Sequence, residues 1–137
     1  MSYIPNKKEF DAVIKQSTEK RVKYFQNTVG GHECMWVCMD DDGNLFAHYD
    51  GKGRECIALW PAKEYAELVI SEENRNLLKE VNVTYFFEEY CEELKGKNMY
   101  LMVFPTFEGG ALFSIEDFHA FIEEEFAKYG DVCYEVH

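Results

Sequence analysis

The sequence predicts an α+β protein, a mostly antiparallel sheet of about five strands with about four to five helices packed against it. Three observations carry that reading. Short apolar segments separated by Gly, Asn and Asp turns form a three-stranded meander over residues 33–60. Two apolar runs, Ile57-Ala58-Leu59-Trp60-Pro61 and Tyr100-Leu101-Met102-Val103-Phe104-Pro105, each end on an aromatic–Pro step. Apolar residues at helical spacing occupy the segments around these, most clearly from Phe87 to Leu94 and from Ile115 to Phe126.

Taken in order, Asn6 and Glu9 have the spacing of an N-cap and its third helical residue, and Phe10, Val13 and Ile14 give that helix a short apolar face. The pattern lapses from Lys15 to Arg21, then resumes with Val22, Phe25 and Val29 before ending at Gly30-Gly31. Two short helices meeting near Ser17-Thr18, or one kinked helix, satisfy this pattern. The meander follows, with strands over 33–39, 45–49 and 55–60. Its turns are Asp41-Asp42-Gly43-Asn44 and Asp50-Gly51-Lys52-Gly53, where Gly and Asn tolerate positive φ. In the first strand Cys34, Trp36 and Cys38 alternate with Met35, Val37 and Met39, so both faces are apolar and the strand should be central and covered on each side.

Proline lacks an N–H, pushes the residue before it into extended geometry and suits the first turn of a helix. A helix is therefore expected at Pro61, with Ala62, Tyr65, Ala66, Leu68 and Val69 on its face. Residues 71–82 read as polar and irregular, with a helical turn around Leu77-Leu78. Thr84 suits the N-cap of the next helix, whose face is Phe87, Tyr90, Cys91 and Leu94 and whose end is Gly96 or Asn98. A hairpin over 99–104 and 111–113 turns at Phe107-Glu108-Gly109-Gly110. Ser114-Ile115-Glu116-Asp117 then opens a last helix in capping-box fashion, with Ile115, Phe118, Phe121, Ile122 and Phe126 inward and a stop before Gly130. Val132, Tyr134 and Val136 alternate with Cys133 and Glu135, the pattern of a short terminal strand.

At 137 residues, with no linker, repeat or low-complexity tract, the chain reads as one acidic domain over 1–137. Eleven Phe, nine Tyr and two Trp supply much of its buried area. No apolar run approaches the roughly 20 residues of a bilayer span, and Met1 to Lys8 has no signal-peptide character, so the expected location is cytoplasmic. Five cysteines without a paired short spacing fit reduced thiols. A formal charge of −12 repels phosphate backbones and anionic membranes, which excludes nucleic acid and a membrane surface as ligands and leaves a basic protein as the compatible partner class.

The search for chemistry returns no catalytic residue, cofactor or metal. Asp40-Asp41-Asp42-Gly43-Asn44 fails the EF-hand spacing, because its Gly falls fourth rather than sixth. Cys34, Cys38, His48 and Cys56 lack a Cys-x-x-Cys, and four strand residues separate the first two by roughly 13 Å. There is no Gly-x-Ser-x-Gly elbow and no phosphate-binding glycine loop. The pointed feature is charge: Glu88, Glu89, Glu92 and Glu93 place like-charge pairs at i,i+4 on one helix, each costing about 0.2–0.5 kcal/mol in isolation. These four are the candidate partner-binding residues, and Glu123-Glu124-Glu125 adds a second acidic ridge. Trp36, Trp60, Pro61, Phe104 and Pro105 form the competing candidate, a pocket or structural motif where the two aromatic–Pro steps meet.

The chain resembles an uncharacterised bacterial family known only as domain of unknown function twenty-seven-fifty. The residues that carry the resemblance are Arg21 followed by Tyr24-Phe25, Trp36, Asp42-Gly43, Leu59-Trp60-Pro61 running into Glu64-Tyr65-Ala66, and Val103-Phe104-Pro105-Thr106. It covers the chain from about Lys7 to Tyr129, and since the family has no assigned activity it implies no catalytic residues. A weaker likeness is to the N-terminal domain of the SseB type, which also runs an apolar strand ending in an aromatic into a helix. Small acidic proteins of this kind also occur as immunity proteins beside toxins. The expected function is therefore a non-catalytic protein-binding domain of immunity or regulatory type, the alternative being a small-ligand protein or enzyme with its pocket near Trp60-Pro61 and Phe104-Pro105.

Overall fold

In the computed structural model, which describes residues 3–136 with side chains through 128, helices and strands are interspersed along the chain. The elements are α1 Lys7–Val13, α2 Thr18–His32, β1 Cys34–Cys38, β2 His48–Tyr49, β3 Glu55–Leu59, α3 Lys63–Ala66, a 3-10 helix Glu72–Leu77, β4 Leu78–Asn82, α4 Val83–Gly96, β5 Tyr100–Thr106, β6 Gly109–Phe113 and α5 Ile115–Val136.

Short polar side chains set most helix starts. Asn6 Oδ1 accepts from the Glu9 N–H at 2.8 Å, as the sequence expects. Ser17 Oγ accepts from the Lys20 N–H, so the two-helix reading of the N-terminal region is the one realised. Ser114 Oγ likewise accepts from the Asp117 N–H at 3.1 Å. For α4 the cap is Asn82, not Thr84: its Oδ1 takes the Tyr85 N–H at 3.1 Å. Starting earlier, α4 buries Val83, Phe86, Cys91 and Leu94, while Phe87 and Tyr90 are only partly covered. α3 is four residues long, and Pro61 precedes it rather than lying in its first turn.

Gly30-Gly31 does not end α2, which runs on to a left-handed Glu33 with φ 60°. Its role is close approach, since a Cβ on Gly30 would stand 2.2 Å from Cγ of the buried Glu125 on α5. α5 in turn passes Gly130 and continues to Val136, so the terminal strand anticipated there is helix. Each residue added to a running helix gains a hydrogen bond, and a lone glycine does not stop that.

The expected single, mostly antiparallel sheet of about five strands is corrected to two sheets. The larger has the order β2-β3-β5-β6 and the smaller is β1-β4. Within the larger, β3 and β5 run parallel, and the flanking pairs are antiparallel. The chain leaves β3 at Leu59 and re-enters at Tyr100 through α3, β4 and α4, and such a crossover permits a parallel return that a tight hairpin cannot make. The meander's first turn forms, but the pairing beyond it fails. β1 meets the following segment only at the Met39–Leu45 bridge, and pairs instead with β4 from Cys34–Asn82 to Cys38–Leu78. β4 reads as polar because only Leu78 and Val81 of its five residues are buried.

The two tryptophans join the sheets. Trp36 N–H donates to Trp60 C=O at 2.8 Å and Trp60 N–H returns the bond to Trp36 C=O at 3.0 Å. β1 is thus flanked on both edges and buried at Cys34, Met35, Val37 and Cys38. α2 and α5 pack on β5 and β6 and on each other, with Phe113 of β6 meeting the Phe121 ring at 4.9 Å. Among the described residues no helix is long and apolar enough to cross a membrane.

Candidate functional site

Strand alternation sorts the larger sheet into two faces. Ile57 and Leu59 of β3 share one face with Leu101 and Val103 of β5; Cys56 and Ala58 share the other with Met102. A cavity of about 300 Å³ lies on this second face. Cys56, Ala58, Trp60 and Met102 form its floor, and Val69 and Ile70, from the segment after α3, form a wall. Tyr49 and Phe107 stand at its rim, 70% and 84% exposed.

Polar groups in this cavity are few. His48 and Cys56 are cross-strand partners on β2 and β3. Burial holds the His48 imidazole below its ordinary pKa, and Nε2 is buried without a hydrogen-bond partner. Burial, reinforced by Asp50, pushes the Cys56 thiol up, so the pair is a neutral imidazole beside a protonated thiol rather than an activated nucleophile. Asp50 is already engaged, accepting from the Lys52 and Arg54 N–H groups and from Arg54 Nε at 2.8–2.9 Å. A neighbouring cavity of about 380 Å³ shares His48, Val69 and Ile70 and is lined by the exposed Phe46.

Of the aromatic–Pro candidates, Trp60 and Pro105 meet here, with Trp60 Nε1 donating to Pro105 C=O at 3.0 Å. Trp36 is tied to Trp60 through the backbone; its ring lies 5.9 Å from Lys63 Nζ, and its Nε1 is buried without a partner. Pro61 is buried but does not line the cavity. Phe104 goes elsewhere. Its φ is 51°, at a register shift between Val103 and Thr106, so its ring turns toward Tyr65 at 4.8 Å and Tyr24 at 6.1 Å. A bulky residue before proline is expected to be extended, and this left-handed conformation is strained.

Full burial of the Phe104 ring offsets that strain, within a hydrogen-bonded aromatic group. Tyr24 and Tyr65 share a hydroxyl hydrogen bond of 2.8 Å, and Tyr24 and Tyr3 both donate to Glu9. Burial leads in pushing the Tyr65 phenol up to about 12. Arg21, 1% exposed, lies 5.8 Å from the Phe104 ring centre and donates to the carbonyls of Gln16 at 2.8 Å and Gly109 at 3.1 Å. These contacts fasten α1, α2 and α3 to the end of the sheet. Nothing in the sequence announced Arg21 and Tyr24 as neighbours of Tyr65, because the first two lie on α2 and the third on α3.

On the other side, Glu88, Glu89, Glu92 and Glu93 are all exposed along α4. Glu93 pairs with Lys97 at 2.9 Å; among the described residues the other three have no ion-pair partner. Tyr90 Oη donates to Gly43 C=O at 2.8 Å and so holds the Asp40–Asn44 turn against α4. That turn is closed by Asp40 Oδ1, which accepts from the Asp42 and Asn44 N–H groups at 2.9 Å, the Asn44 bond leading in holding the carboxyl below its usual range. A cleft of about 300 Å³ between turn and helix is lined by Glu55, Ile57, Tyr90, Glu93 and Lys97. Tyr85, 50% exposed on the same helix, was missed by pattern reading, which looked for inward aromatics. The second ridge is broken, because Glu125 is buried and bonded to Lys128, leaving Glu123 and Glu124 outside.

Hydroxyl chemistry is equally sparse: Ser17 and Ser114 cap helices, and Ser71 Oγ accepts from Asn74. Among the described residues no three His, Cys, Asp or Glu side chains gather as a metal site. The side chain of Cys133 lies outside the described residues.

A family model described as protein of unknown function (DUF2750) matches residues 22–122, a span that holds every strand of both sheets. A search of the curated proteins finds no match, and neither does a search of the solved structures. With most of its length inside that match, the chain belongs to the DUF2750 family, whose function is not assigned.

Proposed function

We propose that this protein is a non-catalytic binding module, of regulatory or immunity type, that engages a basic partner protein through the outer face of α4. The observation that carries the reading is the half-exposed Tyr85 set beside four exposed glutamates on one helix. Clustered like charges cost a helix stability, and the Tyr85 ring, edge-on to Tyr90 at 6.3 Å, still leaves half its surface in water, so the combination serves contact better than folding. An aromatic anchor ringed by charge is the usual composition of an interface hot spot and its rim. The Asp40–Asp42 turn, held to α4 by Tyr90, extends the negative field beyond the helix. Such a field speeds encounter with a basic partner and excludes acidic ones.

The test begins with capture from native cell lysate at low and at high salt, followed by binding kinetics with the captured protein. Glu89→Lys with Glu92→Lys should slow association most clearly at low salt, where steering is least screened. Tyr85→Ala should speed dissociation. Unchanged kinetics in both variants would refute the α4 surface.

A further inference from the structure

We propose that the cavity over β2, β3 and β5 is a binding site for a small neutral aromatic molecule, packed on Ala58, Ile70 and Met102 and flanked by Tyr49 and Phe107. This site lies across the sheet from the α4 cleft: Ile57 lines that cleft, whereas Ala58 lines this cavity. The proposal is therefore independent of the partner-binding reading.

The first support is where the exposed rings stand. Among the described residues five large apolar side chains are exposed, and three of them, Phe46, Tyr49 and Phe107, surround this cavity and its neighbour. Isolated exposed rings are ordinary; two at the mouth of one apolar depression, with a third on the adjoining cavity, mark a contact site. The second support is size. About 300 Å³ is the lower end of the range for ligand pockets, which suits a molecule of one or two rings.

Charge selects the class. Among the described residues no cation at the cavity is free for an anionic ligand, since Arg54 is spent on Asp50 and burial holds the His48 pKa below its ordinary value. Among the described residues lining it no carboxylate is free for a cationic one, because Asp50 already takes three hydrogen bonds. What remains is an apolar floor, two rings at the mouth and an imidazole whose Nε2 lacks a partner. A neutral aromatic molecule with one hydroxyl or ring N–H matches that set. Stacking on Tyr49 and Phe107 would supply affinity, and His48 the polar contact.

The test is chemical-shift perturbation on the ¹⁵N-labelled full chain, with indole as the neutral probe and benzoate and benzylamine as charged counterparts. Indole should shift the Ala58, Met102 and Phe107 amides saturably, and the charged probes should not. Phe107→Ala, at a side chain 84% exposed, should leave the spectrum dispersed and weaken indole binding roughly three- to tenfold. Ala58→Leu should fill the floor and abolish the response; if that variant does not fold, Phe107→Ala decides alone. Absence of saturable shifts at these amides, shifts confined to α4, equal responses to all three probes, or unchanged affinity in Phe107→Ala would each overturn the proposal.

Discussion

On one face of the larger sheet Ile57, Leu59, Leu101 and Val103 are at most 1% exposed. On the other face Cys56, Ala58 and Trp60 are equally apolar, yet a cavity of about 300 Å³ remains above them. The residues come from the same strands and alternate one by one, but Cys56 and Ala58 are smaller than Ile57 and Leu59. Cover differs as well. α5, 22 residues long, sets Phe118 and Phe121 against Phe113 on the first face, where the cleft against α4 reaches Ile57. The cavity on the second face is walled by Val69 and Ile70 of the irregular segment after α3. An apolar strand face becomes core or cavity according to the size of its side chains and the extent of what lies over it.

Trp60→Ala tests that contrast with the largest expected effect, because Trp60 sits on the open face and is yet 1% exposed. Losing its ring and its bond to Pro105 should cost about 3–5 kcal/mol, read as a large fall in the denaturant midpoint. A melting temperature equal to that of the parent protein would mean that the open face contributes little to folding. Gly110→Ala comes next. Its Cβ would lie 2.6 Å from Val103 C=O and 2.9 Å from the Pro105 backbone, atoms that cannot swing aside. Overpacking the bulge should cost about 1–3 kcal/mol in thermal or chemical unfolding and displace Phe104 from its aromatic neighbours.

A pH titration of stability separates the faces more finely. The folded His48 pKa is depressed from its ordinary 6.5, so the unfolded chain binds the proton more readily. The stability from a neutral His48 is complete above pH 6.5 and is lost as pH falls through that value toward the folded pKa. His48→Phe should therefore flatten the slope of stability between neutral pH and mild acid; an unaltered slope would show that His48 is not the group responsible. The smallest effects belong to exposed positions. Glu89→Lys with Glu92→Lys, and Phe107→Ala, should each leave stability within about 0.5 kcal/mol by denaturant titration, and a larger loss would show these residues to be structural.

The two aromatic–Pro steps show how far sequence reading reached. Both predict an extended aromatic before a turn, and at Trp60-Pro61 that is the outcome, with the chain leaving β3 for α3. At Phe104-Pro105 the strand continues to Thr106 and Phe104 flips to positive φ. The dipeptide is the same in kind; what differs is Gly110 opposite the second step, where only a backbone without Cβ lets the bulge close. Residues 71–82 show the reverse case. Their polarity hid β4, an edge strand that turns only Leu78 and Val81 inward. The candidate sites were legible in the same uneven way. Glu88 to Glu93 stand out by spacing and stay exposed, whereas Tyr49, Phe107 and Tyr85 resemble any other aromatic until their exposure is known.

Signals that act within a few residues were settled by the sequence itself: the caps at Asn6, Ser17 and Ser114, the Asp40 turn, the β5–β6 hairpin and the inward face of α5. Each depends on a side chain reaching a backbone group or a neighbour one helical turn away, and such distances are fixed by local geometry. Only the tertiary structure decided that β1 would choose β4, that β3 would lie parallel to β5, that Glu125 would be buried and that a cavity would stay open beneath Tyr49 and Phe107. Those outcomes are competitions between segments far apart in the chain. They are settled by which surfaces can cover one another, a quantity that no local pattern encodes.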